Sequence, residues 1–597
     1  PQALRYRFRL ACNDGGIRWL CAAPDGRHAR LCDAPGDGWR LTVYRAGFTT
    51  PAWFRTGVMY QIFPDRFARD SSATAQRGME HHRRMGQTVH CHAGWDEPVE
   101  WQANTPEGEY APVDFYGGTL RGIADRLHYL QKLGVTVLYL NPIFESASNH
   151  RYDTGDYRKV DPILGTNADF KKLCAAAADC GIRIVLDGVF AHTGADSRYF
   201  NHFRHYPGCG AYNSRSSVYA RWYSFAHYPD DYKCWWDFKD LPAVNAANPD
   251  WRKYMITGAR SIVKTWLRDG ASGWRLDVAD ELPDDVLRGM RSAAKETDPD
   301  SVLLGEVWED AVTKVSYGER RQYALGDALD SVMNYPLRDG LVAFLTGRST
   351  AHALADLLLS QRLNYPRPLY YALMNLTASH DVARTRSALA LDFDPRSRTR
   401  AELAALEITD AMAARGAQLQ VLAAAVQFWL PGIPSIYYGD ETGMQGLCDP
   451  FNRAPLQMCD TQMLQWYAQL TALRHAHPAL THGEVAVFAP AGDVLCVLRV
   501  IADGRDAFGE EAEDEALLLI VNRAAHPVRC HVELTCPGAG LCEETRLAFV
   551  RSEYDCAADC TDDTHIAIRD GVGAFDLPPH AAKIYRLENR HGTETGS

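Results

Sequence analysis

The chain has no long apolar run, no CxxC pair and no surplus of positive charge. Each absence closes off a class of protein. The longest apolar stretch, VLAAAVQFWL at 421–430, is about half of what a membrane span needs and reads as a buried helix. Without CxxC, a structural zinc site is not expected. HCH at 90–92 is a lone metal candidate without a further ligand, and it reads as a plain loop. Asp and Glu outnumber Lys and Arg by 75 to 63, a formal charge of −12. Neither nucleic acid nor an anionic membrane surface is an expected partner for such a chain. A neutral substrate suits it. No signal peptide follows Pro1, and with the scattered thiols this points to the cytoplasm; with no initiator Met in the sequence, secretion stays open as the alternative.

Cysteine itself is plentiful. Of 16 residues, Cys174 and Cys180 sit in a helix-like segment and read as buried thiols. Cys496, Cys530, Cys536, Cys542, Cys556 and Cys560 crowd the last quarter and would pair only in an oxidising compartment. The 597 residues are 46% hydrophobic and 23% charged, an ordinary globular composition on a chain too long for one core.

From residue 58 onward short apolar runs alternate with helical stretches. The runs are VMYQIF (58–63), VTVLYL (135–140), IRIVLD (182–187), GWRLD (273–277), VLLGE (302–306), SVMNY (331–335), YALMNL (371–376) and PSIYY (434–438). Nearly continuous apolar runs suit strands buried on both faces. TLRGIADRLHYLQKLG (119–134) and NADFKKLCAAAADCG (167–181) are two of the helical separators. Eight such units predict an α/β chain whose centre is a (β/α)₈ TIM barrel, formed by residues 51–188 and 251–482.

Two long insertions interrupt the repeat. Residues 65–115 are polar and His-rich. Residues 189–250, a B domain inserted after strand 3, carry Tyr199, Phe200, Tyr212, Trp222, Tyr223, Trp235, Trp236 and Phe238. Such aromatics either line a cleft or form a small satellite core. Residues 483–597 change to short strands with Gly and Pro turns and predict a C-terminal antiparallel β-sandwich. Residues 1–50 form a β segment too short for its own core, a remnant of a larger module or a packed arm.

GWRLD and GEVWE (305–309) are each a strand end that carries a carboxylate. They place Asp277 and Glu306 on one rim of the barrel, where polar residues serve catalysis. Two facing carboxyls are the minimum equipment for breaking a glycosidic bond.

The ordered motifs DGVFAH (187–192), GWRLDVADE (273–281), GEVW (305–308) and SHD (379–381) resemble those of the α-amylase superfamily, glycoside hydrolase family 13. SVMNYPL (331–337), PGIPSIYYGDE (431–441), YQIFPDRF (60–67) and NHRYDTGDY (149–157) resemble further signatures of its neopullulanase, cyclomaltodextrinase and amylopullulanase branch. The resemblance runs from Gly57 to Leu456.

It implies a retaining, endo-acting α-glucan hydrolase, active on cyclomaltodextrins, pullulan, maltooligosaccharides or starch. The nucleophile is Asp277, the acid/base Glu306, and Asp381 a third carboxylate that favours the distorted transition state. Arg275, two residues before Asp277 and on the same strand face, is expected to lower its pKa. Trp308 is expected to keep Glu306 dry and raise its pKa. His192 and His380 hydrogen-bond the same sugar. By resemblance, His150 and Tyr152 line the subsite at the cut bond, Arg453 contacts sugar or Asp381, and Asp187 orients Arg275. A glucanotransferase and a non-catalytic glycan-binding homologue are the rival readings; the latter class loses carboxylates that this chain keeps.

No cofactor is expected. Ala191 stands where the family commonly has a calcium-binding Asn, FARDSSATAQ (67–76) lacks the Asn- and Gly-rich calcium loop, and Thr119 replaces a frequent Asp. Asp280 replaces a common Asn, which leaves the choice between α-1,4 and α-1,6 bonds open. Relatives of the branch dimerise through an N-terminal module that is short here, so monomer and homodimer are both expected states.

Overall fold

The computed structural model of the protein describes residues 1–23, 29–105, 108–534, 544–549, 566–569 and 571–589. The eight apolar runs form the strands of one parallel sheet: β1 Met59–Ile62, β2 Val137–Leu140, β3 Arg183–Gly188, β4 Gly273–Leu276, β5 Val302–Gly305, β6 Ser331–Val332, β7 Met374–Leu376 and β8 Ile433–Tyr437. Their order is β6-β5-β4-β3-β2-β1-β8-β7. A parallel bridge between Met333 and Met374 joins the two edges, so the sheet closes on itself. Closure removes the unpaired edges that an open sheet exposes.

Side-chain alternation separates the two faces of each strand. Met59, Val137, Tyr139, Val185, Val302, Leu304, Met374 and Ile433 fill the barrel interior. Tyr60, Leu138, Ile184, Trp274 and Leu303 point outward into the helix layer. Trp274 is buried there against Phe144 and Phe190. The fourth strand starts at Gly273 because a Cβ would stand 2.5 Å from the Val302 carbonyl oxygen.

The segment 119–134 divides into helices Leu120–Asp125 and Leu127–Lys132, and 167–181 gives Asn167–Asp179 behind a Thr166–Asp169 capping box. VLAAAVQFWL closes a 20-residue helix, Asp410–Trp429, buried along that half. The 65–115 insertion contains a helix, Thr74–Met85, which its polar composition concealed. His90 and His92 are engaged by Glu100, Glu97 and Asp114, and His92 stacks on Tyr116.

The described residues from Glu484 onward form an antiparallel eight-stranded sheet. Strand Val494–Ile501 is buried along its whole length. Val494, Cys496, Leu498 and Val500 face a core shared with Val532, Phe575 and Leu577. Leu495, Val497 and Ile501 face the barrel helices. Cys496 and Cys530 are buried free thiols; Cys536, Cys542, Cys556 and Cys560 lie outside the described residues. The N-terminal segment forms two small sheets, Gln2–Tyr6 with Trp39–Val43, and Phe8–Ala11, Ile17–Ala22, Ala29–Cys32. Tyr6, Phe8, Leu31 and Leu41 stay exposed there, as expected of a segment too small to bury its own apolar faces.

Candidate active site

Inward-facing residues at the C-terminal strand ends converge on one guanidinium. In register, Asp187 of β3 lies beside Arg275 of β4. Arg275 Nη1 donates to Asp187 Oδ1 at 2.8 Å and to Asp277 Oδ1 at 2.9 Å. Its Nη2 lies 2.8 Å from Glu306 Oε2. Arg275 is fully buried, and all three carboxylates are shielded from water. Desolvated charges are tolerated only when paired, which explains why the arginine and its acids occur together.

Three carboxylates around one cation leave an excess of negative charge. Burial first, then the charges of Glu306 and Asp187, push Asp277 well above the usual carboxylate range, although Arg275 pulls it down. Arg275 acts in the expected direction, but one guanidinium does not offset burial and two neighbouring acids, so the net shift is upward. Burial also raises Asp187 and Asp381. Burial and mutual repulsion thus favour the protonated forms of these acids.

Glu306 is held by two donors. Val278 N–H reaches Oε2 at 2.8 Å, and Trp308 Nε1–H reaches Oε1 at 2.9 Å. Val278 has φ +38°, a left-handed conformation that costs a β-branched residue energy and turns its N–H toward the acid. Trp308 was expected to act as an apolar cover. It is instead a hydrogen-bond donor, 36% exposed, with its ring stacked 3.8 Å over Tyr335.

Across the rim, His380 Nδ1 accepts from Gln61 Nε2 at 2.9 Å, which leaves the proton on Nε2. That nitrogen is 2.6 Å from Tyr152 Oη and 3.2 Å from Asp381 Oδ2. Tyr152 Oη donates to Asp187 at 2.8 Å and its ring stacks on His380. His150 Nδ1 accepts from Tyr152 N–H at 3.0 Å. His192 Nε2 donates to the Tyr152 carbonyl at 3.2 Å. Burial lowers His150 and His380 well below their ordinary value and His192 to about 4, so all three are neutral donors and acceptors at neutral pH. Arg453 Nε donates to the His380 carbonyl, and its Nη2 lies 3.9 Å from Asp381 Oδ1. All eleven candidate residues thus lie in one connected network.

Four members of it had no assigned role in the sequence reading. Gln61 sets the His380 tautomer. Asn141 donates to Tyr152 Oη. Tyr139 donates to Asp187 at 2.6 Å, and Tyr335 Oη donates to Asp381 at 3.4 Å. The available signal was a polar residue inside or just after an apolar strand, as Gln61 is in VMYQIF.

Three of the positions named in the sequence for calcium can be followed in the structure. Ala191 contributes no side-chain oxygen, the Thr119 hydroxyl caps a helix at Gly122 N–H, and one Asp70 oxygen is taken by Ser72. Among the described residues no group of three or more His, Cys, Asp and Glu is arranged to hold a metal.

The profile of the family described as "Alpha amylase, catalytic domain" matches residues 61–460. The chain is 35% identical over 552 residues to an amylopullulanase of Thermoanaerobacterium saccharolyticum, covering 85% of this chain and 41% of that protein. It thus spans less than half of that relative. It is 32% identical over 489 residues to a cyclomaltodextrinase of Geobacillus thermopakistaniensis, covering 80% of this chain and 70% of that one. Among solved structures it is similar to a cyclomaltodextrinase at TM-score 0.70 and 25% identity, covering 98% and 87% of the two chains. It is also similar to a cyclic α-maltosyl-(1→6)-maltose hydrolase of Arthrobacter globiformis at TM-score 0.65 and 27% identity, covering 90% and 100%. A matched catalytic domain on a closed barrel, with acids at the ends of its fourth and fifth strands, makes the chain a member of the alpha-amylase family of glycoside hydrolases.

Proposed function

We propose that the protein is a retaining, endo-acting α-glucan hydrolase that cuts α-1,4 bonds in cyclomaltodextrins, pullulan and maltooligosaccharides. The observation that carries this reading is Arg275 bridging Asp277 and Glu306 from two adjacent strand ends. Glu306 gives a proton to the glycosidic oxygen as the bond to C1 breaks. Asp277 attacks C1 and forms a glycosyl ester. Glu306, now a base, takes a proton from water, whose oxygen displaces Asp277. Arg275 orients both acids before and after the proton moves. Asp381, with His380 beside it, takes the sugar hydroxyls. Neutral His150 and His192 do the same without adding positive charge near the oxocarbenium-like centre. Tyr152 supplies a flat face for the ring. Relatives named amylopullulanase, cyclomaltodextrinase and neopullulanase support this substrate class.

The test is product analysis on pullulan, a cyclodextrin and soluble starch, with Asp277→Asn as control. Panose from pullulan, or maltose and glucose from the ring, is the expected result. Rearranged longer oligomers would turn the assignment to a glucanotransferase. Cleavage of pullulan to maltotriose would place the cut at α-1,6 bonds. Binding without turnover would overturn the proposal.

A further inference from the structure

The insertion after β3 has two kinds of aromatic residue. Tyr199, Phe200, Trp222 and Tyr223 are buried as a satellite core, with Tyr199 stacked on Trp222 and Phe200 edge-on to Tyr223. The hairpin made by Cys234–Trp235 and Phe238–Pro242 differs. Trp236 is 71% exposed and Phe238 59% exposed. Their rings lie nearly parallel to that of Trp235, at 5.3 and 5.8 Å between centroids and 16° and 23° between planes.

This plate continues the candidate site. Ala243, just past the hairpin, bridges antiparallel to His192, and Val244 N–H donates to the Ala191 carbonyl. The Trp235 ring is 5.8 Å from the His192 ring. Two enclosed nitrogens of these rings, His192 Nδ1 and Trp235 Nε1, have no partner among the described residues. With Nε2 of His192 donating to Tyr152, Nδ1 is an acceptor, while the indole N–H is a donor.

The turn points the same way. Trp236 and Asp237 have φ +45° and +63°. A two-residue hairpin turn with both φ positive favours Asn-Gly, and a bulky aromatic there is strained. Stability alone does not account for an exposed Trp at such a position.

We propose that the Trp235–Trp236–Phe238 plate is a remote sugar-binding platform that takes glucosyl units beyond the ring at the cut bond and biases the enzyme toward longer α-glucans. The proposal rests on the hydrolase reading above. Flat ring faces beside a few polar groups are the usual means of holding an oligosaccharide chain in an open cleft.

The experiment compares wild type with the Trp236→Ala/Phe238→Ala double variant on maltotriose and maltoheptaose. The ratio of kcat/KM for maltoheptaose to that for maltotriose is expected to fall about tenfold, through KM. A second variant, Trp236→Gly, is expected to melt at a higher temperature than wild type while losing the same preference. An unchanged ratio, or a lower melting temperature for Trp236→Gly, would overturn the platform. A separate titration follows tryptophan fluorescence with maltoheptaose in Glu306→Gln. Quenching that disappears with the double substitution supports the platform even if no turnover is found and the hydrolase reading fails; no quenching overturns it.

Discussion

At each end of the barrel a guanidinium is shut away from water, and the two ends solve the problem differently. At the rim of strand C-termini, Arg275 is surrounded by Asp187, Asp277 and Glu306. At the opposite end, Arg474 and Arg499 are equally buried but bonded only to backbone carbonyls. Arg474 reaches Arg55, Gly57 and Gly432; Arg499 reaches Trp429, Leu480 and Gly483. Carbonyls satisfy the N–H groups without neutralising the charge. Burial, then the neighbouring Arg499, pulls Arg474 down to about 9. At the rim, one cation gathers three acids and burial raises the pKa of Asp187 and Asp277. At the base they leave a brace that ties barrel turns to the C-terminal sheet. One residue type serves chemistry at one end and assembly at the other, as expected of the two faces of such barrels.

Substitutions at the two ends should separate these roles. The largest effect is expected from Glu306→Gln, with turnover falling by about 10³ or more while the unfolding free energy stays within about 1 kcal/mol of wild type. Denaturant melts beside kinetic assays check it; near-normal rates would remove Glu306 as acid/base. Arg499→Met should do the converse. It removes a donor from three carbonyls, of which Leu480 keeps Arg474 and Gly483 keeps Tyr371, and is expected to lower stability by about 1–3 kcal/mol, with kcat per folded molecule unchanged. An unaltered urea midpoint would show that the brace is dispensable.

A smaller effect sharpens the contrast through pH. The folded-state pKa of Asp277 lies above its unfolded value, so the native state holds more protons in the window above about pH 4. The site thus loses stability as pH rises through that window. Asp277→Asn removes the penalty and is expected to raise the melting temperature at pH 7, with the gain vanishing near pH 4. A constant gain across that range would mean that the carboxyl does not titrate as described. The smallest effect concerns metal. Both ends are held by side chains and backbone, so excess chelator is expected to leave the melting temperature within about 1 °C of its starting value. A large drop restored by calcium would break that account.

The barrel was legible because its strands are buried on both faces and therefore appear as apolar runs of the right length. Asp277 and Glu306 stood out because they end such runs, and Asp381 because it closes the SHD motif shortly after one. Their mutual effects were not legible. The direction of the Asp277 shift depends on Asp187, far away in sequence, and on Glu306 across a strand boundary. Gln61 and His380 are partners separated by 319 positions, and nothing local marks the pair. Trp308 has two chemical faces, and sequence shows only that a tryptophan is present; its N–H and not its apolar body meets Glu306. The division of the insertion aromatics between core and plate follows from a hairpin whose turn residues, Trp-Asp, carry no usual turn signal.

The strand Val494–Ile501 has one face in the C-terminal core and the other against the barrel helices, and Trp429 Nε1 donates to its Val497 carbonyl. A cut before Glu484 would therefore do more than discard an appendage. It would strip the helices of the wall they lean on and leave a sticky, poorly expressed fragment. For anyone trimming or grafting this enzyme, the smallest portable cassette includes the C-terminal sheet, and fusion seams belong outside it.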